Sequence, residues 1–289
     1  MMESSRLCLI TGANSGIGRT TALELAKKGF DILMLCRNLQ TARAVRQELK
    51  SVSKSGRVDL IWCDLSSQES VVQAAREIND RYRKLDVLIN NAGLMLDREE
   101  YTVDGIEKTF AVNHLGHFLL TNLLLDLLKN GEKPRVITVS SEAHRWPGAF
   151  RLEQLAKPSS YNNWRAYGAS KLSNILFAKE LANRLADYGI TSNSLHPGAV
   201  KTAFGGQPTG LTGLAFALAK PFFISPEKGA RTSVYLASSP EVESVTGLYF
   251  DKCRPKTPAS DARSDHNAKR LWELSEHLTE MKKNLELVK

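Results

Sequence analysis

The sequence has few cysteines, no long apolar stretch and no dense block of charge. Its 4 cysteines form no CxxC pair, which disfavours a disulfide framework or a cysteine metal site. Cys8, Cys36 and Cys63 lie within or beside apolar runs and are predicted to be buried free thiols. No stretch reaches about 18 apolar residues, so no transmembrane anchor is expected. An apolar strand begins at Arg6 and leaves no room for a signal peptide, so we expect a reducing, cytoplasmic location.

Charge is unbalanced but dispersed. Lys and Arg number 39 against 31 Asp and Glu, a formal net charge of +8 that suits an anionic partner such as nucleic acid, a membrane surface or a phosphorylated cofactor. No run of like charges reaches about five residues, and this scatter disfavours a nucleic-acid interface. The 289 residues are 42% apolar and 24% charged, a balance typical of globular rather than disordered chains.

Short apolar runs alternate with helical periodicity along nearly the whole chain. This alternation predicts the α/β class, with a doubly wound, mostly parallel sheet in a Rossmann-like three-layer sandwich. The predicted strands are 6–11, 31–36, 58–63, 87–90, 135–140, 191–196 and 248–250. The predicted helices are 16–28, 42–52, 69–82, 105–128, 167–188 and 226–237. No linker interrupts the pattern, so residues 1–289 are expected to form a single domain.

Two segments depart from the alternation. Residues 199–224 combine glycines with phenylalanines and are predicted to form a mobile apolar flap over the substrate, with a satellite core, a subunit contact or a membrane-touching lid as alternatives. Residues 252–264 are polar and contain proline. A C-terminal helical tail is predicted at 262–289, and its apolar face carries Leu271, Trp272, Leu274 and Leu278.

A glycine-rich turn follows the first predicted strand and leads directly into a helix. Its glycines allow close approach to a pyrophosphate, and the helix N-terminus offers unpaired N–H groups to an anion. The spacing from Gly12 to Gly16 differs from the usual GxGxxG pattern, and glycines also serve turns that bind nothing. The position between strand and helix favours a cofactor, held by Gly12, Asn14, Ser15, Gly16, Ile17 and Gly18.

A basic residue ends the second predicted strand, where NAD-binding enzymes of this architecture place an acidic one. Arg37 suits a 2′-phosphate through charge-assisted, bidentate hydrogen bonds, which predicts NADP, although a solvated loop arginine is the alternative. Arg19 also lies close to the glycine-rich turn. Asp64, with Leu65 beside it, follows the third strand and is predicted to contact the adenine amino group; its alternative role is a helix N-cap.

Tyr167 and Lys171 stand four residues apart near the start of a predicted helix, so their side chains share one face. A tyrosine with a pKa of ~10 is a poor base near neutral pH, and a nearby cation favours its phenolate. This spacing is common by chance. The pair therefore indicates catalysis only in the company of other residues.

Further motifs, in a defined order along the chain, accompany Tyr167 and Lys171. They are Thr11 to Gly18, Asn90 to Gly93, Asn113, Ser140 with Ser141, Tyr167 with Lys171, and Pro197-Gly198 with Thr202. Over nearly the whole chain, this order resembles the short-chain dehydrogenase/reductase family. Residues 166–174, 180–182, 196–198 and 269–273 resemble its retinol dehydrogenase-like branch, as does the long interval before Tyr167. An N-terminal anchor like that of the branch's membrane-bound members is not found, so a retinoid substrate and an organelle location stay open.

The resemblance implies roles for individual residues. Tyr167 would be the general acid/base, and Lys171 would lower its pKa and hold the nicotinamide ribose. Ser141 would hydrogen-bond the substrate oxygen, and is preferred to Ser140 because the branch places its serine at this interval before the tyrosine. Asn113 would anchor a water of a proton relay, or else be a helix-interior polar residue satisfied by backbone. The further cofactor contacts implied are Asn91, Ala92, Gly93, Pro197, Gly198, Val200 and Thr202.

The resemblance implies an NADP(H)-dependent alcohol dehydrogenase or carbonyl reductase that transfers a hydride between nicotinamide and a hydrophobic alcohol/carbonyl pair, whether retinol-like, steroid-like, aromatic or aliphatic. A catalytically idle NADP-binding sensor or scaffold is the alternative. No metal is expected, because His144 and His196 lack partners at metal-ligand spacing. Trp146 and Trp164 either wall the substrate site or pack beside it, and a homo-oligomer stays open.

Overall fold

The computed structural model describes residues 5–198 and 224–288. In these ranges the strands are β1 (Leu7–Thr11), β2 (Asp31–Cys36), β3 (Val58–Trp62), β4 (Val87–Asn90), β5 (Arg135–Val139), β6 (Thr191–His196), β7 (Tyr249–Asp251) and β8 (Arg254–Pro255). They form one sheet in the order β3-β2-β1-β4-β5-β6-β7-β8, in which β1 to β7 are parallel and β8 is antiparallel to β7. The order changes direction between β1 and β4, which confirms the predicted doubly wound α/β class.

Helices cover both faces of the sheet. They are α1 (Gly16–Lys27), α2 (Leu39–Val52), α3 (Gln68–Arg81), α4 (Lys108–Phe110), α5 (Gly116–Leu123), α6 (Leu125–Lys129), α7 (Asn163–Arg184), α8 (Pro226–Ser238), α9 (Ser260–Arg263), α10 (Asp265–Leu278) and α11 (Met281–Val288). Side-chain oxygens cap the N-termini of α2, α3, α7, α8 and α10, from Asn38, Ser67, Asn162, Ser225 and Ser264. These caps satisfy backbone N–H groups that have no partner within the helix.

Successive strand residues face opposite sides of the sheet, so each strand contributes to two cores. Apolar side chains of α3, α5 and α7 pack against one face, which carries Leu9, Leu33 and Leu88. Those of α1, α2 and α8 pack against the other face, which carries Ile10, Met34 and Ile89. Burial on both faces explains why β1, β2 and β4 are almost continuous apolar runs in the sequence.

The prediction of one helix over 105–128 is wrong. Gly105 adopts φ +72° in a turn, and the helix begins only at Lys108, where the Glu107 carboxylate accepts hydrogen bonds from the first backbone N–H groups. A π-helix (Ala111–Leu115) then separates α4 from α5. Leu124, with φ −107° and ψ 8°, separates α5 from α6. Amphipathic periodicity detects none of these interruptions, because residues 109–124 are all buried and have no exposed face that would set a period.

The two unusual segments have different outcomes. Residues 199–223 of the predicted flap lie outside the described residues. The predicted tail contains α10, and the indole of Trp272 packs edge-on to Phe118 at 4.8 Å between ring centroids and stacks on Phe177 at 5.9 Å. The tail therefore completes the core beneath α5 and α7. In the part of the chain that is described, no helix is long and apolar enough to cross a membrane.

Replacing Trp272 by Ala is expected to lower the free energy of unfolding by about 3–5 kcal/mol, the usual cost of truncating a buried aromatic side chain. Trp272 is 4% exposed, whereas Trp62 on the edge strand β3 is 46% exposed. Urea denaturation of both alanine variants tests the difference. Equal losses for Trp272→Ala and Trp62→Ala would show that the tail does not complete the core.

Candidate active site

A cavity of about 710 Å³ opens at the carboxyl ends of the parallel strands. Folds with this topology bind ligands where the strand order changes direction, since the loops there diverge and leave a crevice. The structure brings most of the predicted site residues to its lining: Gly12, Asn14, Ser15, Gly16, Ile17, Gly18, Arg37, Asp64, Leu65, Asn91, Ala92, Gly93, Ser141, Tyr167, Lys171, Pro197 and Gly198. Val200 and Thr202 lie outside the described residues.

The glycine-rich turn is shaped by close contacts at its base. Gly12 adopts φ +66°, and a Cβ on Gly18 would overlap the Gly12 carbonyl oxygen and the Asn91 amide. The Thr11 hydroxyl accepts hydrogen bonds from the backbone N–H groups of Asn91 and Ala92, both at 2.9 Å. These bonds join the turn after β1 to the loop after β4, so the two sides of the cavity are held together.

The N-terminus of α1 faces this cavity. Ser15 is the N-cap residue but makes no side-chain cap hydrogen bond, and Gly16, Ile17 and Gly18 line the cavity. The first-turn N–H groups of a helix have no intrahelical partners and carry the positive end of the helix dipole. The first turn of α1 therefore has the chemistry to hold the pyrophosphate of a dinucleotide in this cavity.

Arg37 and Asp64 lie together at the end of the cavity near β2. The Arg37 guanidinium is 3.8 Å from the Asp64 carboxylate, and their side chains are 58% and 26% exposed. Asp64 is not an N-cap, because Ser67 caps α3 while Asp64 accepts hydrogen bonds from Ser66. Arg19 forms an ion pair with Glu48 and is not in the cavity lining. Of the two arginines considered from the sequence, Arg37 is therefore the one that lines the cavity.

The opposite end of the cavity holds the predicted catalytic group. The Lys171 ammonium donates to the carbonyl oxygen of Val139 at 3.1 Å and lies 5.7 Å from the centroid of the Tyr167 ring. The Ser141 hydroxyl hydrogen-bonds the Tyr167 phenol. Ser140 instead donates to the backbone carbonyl of Lys171 at 2.7 Å, inside the protein. The geometry thus presents Ser141, as expected, beside the tyrosine.

Burial dominates the ionisation of this group. It raises the pKa of Tyr167 to about 12, although the hydrogen bond from Ser141 acts in the opposite direction. Burial also lowers the pKa of Lys171 to about 8, because an ammonium loses its hydration inside the protein. In this structure burial and Ser141 set the shift of the Tyr167 pKa, and the lowering expected from Lys171 is not among its causes.

Asn113 lies at the centre of the π-helix and does not line the cavity. Its side-chain amide donates to the Leu94 carbonyl and the Ser170 hydroxyl, both at 2.9 Å, and its oxygen accepts from the Leu94 N–H at 2.8 Å. The His117 ring bonds its backbone carbonyl at 3.1 Å. The side chain is therefore a buried amide satisfied by its neighbours, close to the alternative role, and the proton-relay role of Asn113 stays a prediction.

Several lining residues were not predicted. They include Leu94, Met95 and Val112, which contribute apolar surface. Trp146 and Trp164, for which the sequence left a wall or a packing role open, also line the cavity, and their rings meet edge to face at 5.2 Å. Leu94 and Met95 directly follow the predicted Gly93, and Val112 precedes Asn113. Their position beside predicted site residues is the sequence feature that could have indicated their place in the cavity. Among the residues that the structure describes, no group of three or more His, Cys, Asp or Glu side chains is placed to hold a metal.

The sequence comparisons agree with this geometry. The profile of the short chain dehydrogenase family matches residues 6–209. Human retinol dehydrogenase 14 is 43% identical over 284 residues, which cover 93% of this chain and 84% of the relative. The WW domain-containing oxidoreductase of Gallus gallus is 39% identical and is covered over 68% of its length, with 95% of this chain.

Solved structures with the same fold include two useful neighbours. An uncharacterised protein from Mycobacterium Paratuberculosis superposes with a TM-score of 0.77 and 36% identity, covering 96% of this chain and 94% of its own. The RhlG/NADP active-site complex from Pseudomonas aeruginosa superposes with a TM-score of 0.69 and 25% identity, covering 86% of this chain and 94% of its own. The fold is therefore shared well beyond the retinol dehydrogenases.

Replacing Lys171 by Met is expected to stabilise the protein at pH 7 by on the order of 1–3 kcal/mol, because it removes a charge that is costly to bury. The folded-state pKa is about 8 and the ordinary value is 10.5, so the unfolded chain binds more protons between these values. The cost of burying the charge is complete below pH 8 and disappears as the pH rises toward 10.5. Urea denaturation without cofactor should show the gap closing over this range. A parent protein as stable as Lys171→Met at pH 7, with exposed Lys50→Met as the control, would contradict the argument.

Proposed function

The chain belongs to the short-chain dehydrogenase/reductase family, in its retinol dehydrogenase-like branch, and we propose that it is an NADP(H)-dependent oxidoreductase acting on an alcohol and its carbonyl partner. The observation that carries the proposal is one cavity with the glycine-rich turn at one end and Ser141, Tyr167 and Lys171 at the other. NADP(H) supplies or accepts the hydride. The chain's own residues then have to orient the substrate and move one proton.

In carbonyl reduction, the Tyr167 hydroxyl donates its proton to the carbonyl oxygen. A phenol with a pKa of about 12 is fully protonated at neutral pH and is ready for this direction. The Ser141 hydroxyl, which lies beside the phenol, turns its one proton to the same oxygen and orients it. Lys171 stabilises the phenolate that remains, because its ammonium lies on the same helix face. Alcohol oxidation runs these steps backward and requires the phenolate.

Arg37 supports NADP as the preferred cofactor. Its guanidinium lines the cavity at the end of β2, is more than half exposed and, within residues 5–198 and 224–288, forms a long ion pair with Asp64. A guanidinium so placed can turn toward a 2′-phosphate and bind it with two parallel hydrogen bonds. NADP in the RhlG complex is consistent with this choice.

Apolar side chains support a hydrophobic substrate. Leu94, Met95 and Val112 line the cavity with the Trp146 and Trp164 pair, and together they replace water around the reacting carbon. We also propose a reducing compartment such as the cytoplasm, because the four cysteines are free. We propose no nucleic-acid partner.

Purified protein is expected to oxidise NADPH with hydrophobic aldehydes or ketones, and Tyr167→Phe is expected to lower kcat by on the order of 10²-fold or more, the scale of a positioned acid/base. Binding of NADP should survive, since only the phenolic oxygen is lost. A panel of carbonyl compounds read by NADPH absorbance, with calorimetric titration of NADP, measures both. The exposed Tyr188→Phe variant is the control. A parent protein inactive across the panel, or an active Tyr167→Phe variant, would overturn the proposal.

Arg37→Asp is expected to reverse or abolish the preference for NADP over NAD, because it removes an ionic contact worth about 1–3 kcal/mol and adds repulsion of the 2′-phosphate. Titration with each cofactor gives the two Kd values. Arg43→Asp on α2 makes the same charge change away from the cavity and should keep the preference. Equal Kd values for NADP and NAD in the parent protein would refute the assignment of Arg37.

A further inference from the structure

The turn that carries Ser141 is tied to a segment more than a hundred residues later. Ser141 is the N-cap of a short 3₁₀ helix (Glu142–Arg145). Residues 256–259, here called the tail strap, lie across it. The Ala259 N–H donates to His144 at 3.1 Å, and Arg145 donates to the Thr257 carbonyl at 2.9 Å. The tail strap lies beyond residues 6–209, the part that matches the family profile.

His144 connects the two segments through both ring nitrogens. Its side chain is fully buried, with Nδ1 2.7 Å from the Ser141 carbonyl oxygen and the ring edge-on to Tyr249 at 5.1 Å between centroids. Because the Ala259 N–H is a donor, Nε2 must accept and carries no proton. The proton of the neutral ring then lies on Nδ1 and points at the Ser141 carbonyl. Burial lowers the pKa of His144, which keeps the ring neutral.

We infer that His144 is a positioning residue for Ser141, and that the tail strap holds the His144 ring in the place from which it donates to the Ser141 carbonyl. The inference rests on the proposed function, in which Ser141 orients the substrate oxygen. The Ser141 carbonyl accepts from the His144 ring and backbone N–H together, so the peptide that carries the serine has one orientation. Its hydroxyl then meets Tyr167 at a fixed place.

Other contacts hold the same turn and limit what the loss of one bond would do. The Glu142 carboxylate accepts from Lys256 at 3.1 Å, and Lys256 also bonds Asp251. The Glu142 backbone N–H donates to His196 Nδ1 at 3.2 Å. These bonds keep the turn folded when the bond from Ala259 to His144 is removed. A loss of turnover would then reflect the orientation of Ser141 and not an unfolded turn.

Ala259→Pro removes the N–H donor and places the proline Cδ against the His144 ring, so it both breaks the bond and displaces the ring. Ala259 has φ −57° and ψ 158°, which proline adopts without strain. The variant is expected to lower kcat roughly tenfold, since small misplacement of a catalytic group costs at least that much. The Kd for NADP should stay within about twofold of the parent, because the tail strap does not touch the cofactor turn. Ala259→Ser keeps the N–H and is the matched control.

Two substitutions of His144 separate its two bonds. The amide nitrogen of Asn can occupy the place of Nδ1 and keep the bond to Ser141, whereas Gln reaches the place of Nε2 and keeps only the bond to Ala259. His144→Gln is therefore expected to lose more kcat than His144→Asn, at unchanged Kd for NADP. Equal kcat in the parent, Ala259→Pro and His144→Gln would overturn the inference. Parallel losses of kcat, cofactor affinity and Tm would also overturn it, since they would indicate a purely structural role.

Long-range ¹H–¹⁵N spectra of the histidine rings test the coupling without turnover. We expect the Nδ1–H tautomer of His144 in the parent and in Ala259→Ser, and a mixture of the two tautomers in Ala259→Pro, where the displaced ring leaves the Ser141 carbonyl. An Nε2–H tautomer in the parent would refute the inference. If the parent turned over no carbonyl compound, the proposed function would fail, while the spectra would still decide whether the tail strap controls His144.

Discussion

The contact between α7 and the end of β5 is the constraint on which the candidate site depends. The Val139 carbonyl accepts from the Lys171 ammonium and from the Asn174 amide, each at 3.1 Å, while Ser140 donates back to the Lys171 backbone. These bonds lock the helix against the strand in one register. Ser141 is the second residue after β5 and Tyr167 lies one turn before Lys171, so this single junction places both hydroxyls that are proposed to contact the substrate.

The same junction is costly to build. It buries an ammonium whose pKa falls to about 8 and a phenol whose pKa rises to about 12. A core of only apolar side chains would be more stable there, so the two large apolar cores on either side of the sheet must offset the cost. The groups proposed for catalysis on α7 therefore lower the stability of the folded protein.

Apolar patterning was sufficient to predict the sheet. Strands β2 and β4 coincide with buried apolar runs, since both faces of a parallel strand are covered, whereas β6 has the predicted bounds although most of its residues are polar. The patterning was insufficient for the π-helix around Asn113, whose backbone shift leaves no trace in periodicity, and for β8. The turn before β8 places Lys252 and Cys253 at φ +51° and +63°, where Asn and Gly are usual. The site residues were located by motif order, but the role of the tail strap depends on a contact between distant segments that no local pattern encodes.

The packing of Trp272 against α5 and α7 also constrains how the chain acquires its structure during synthesis. Ribosomes release the N-terminal elements first, and domains fold as their segments emerge. Phe118 and Phe177 are made long before Trp272, so the face that they share stays uncovered until α10 has left the exit tunnel. During that interval an apolar surface is open to chaperones and to other nascent chains. Codon choice after α7, which sets the length of the delay, would therefore influence the yield of folded protein without changing any residue.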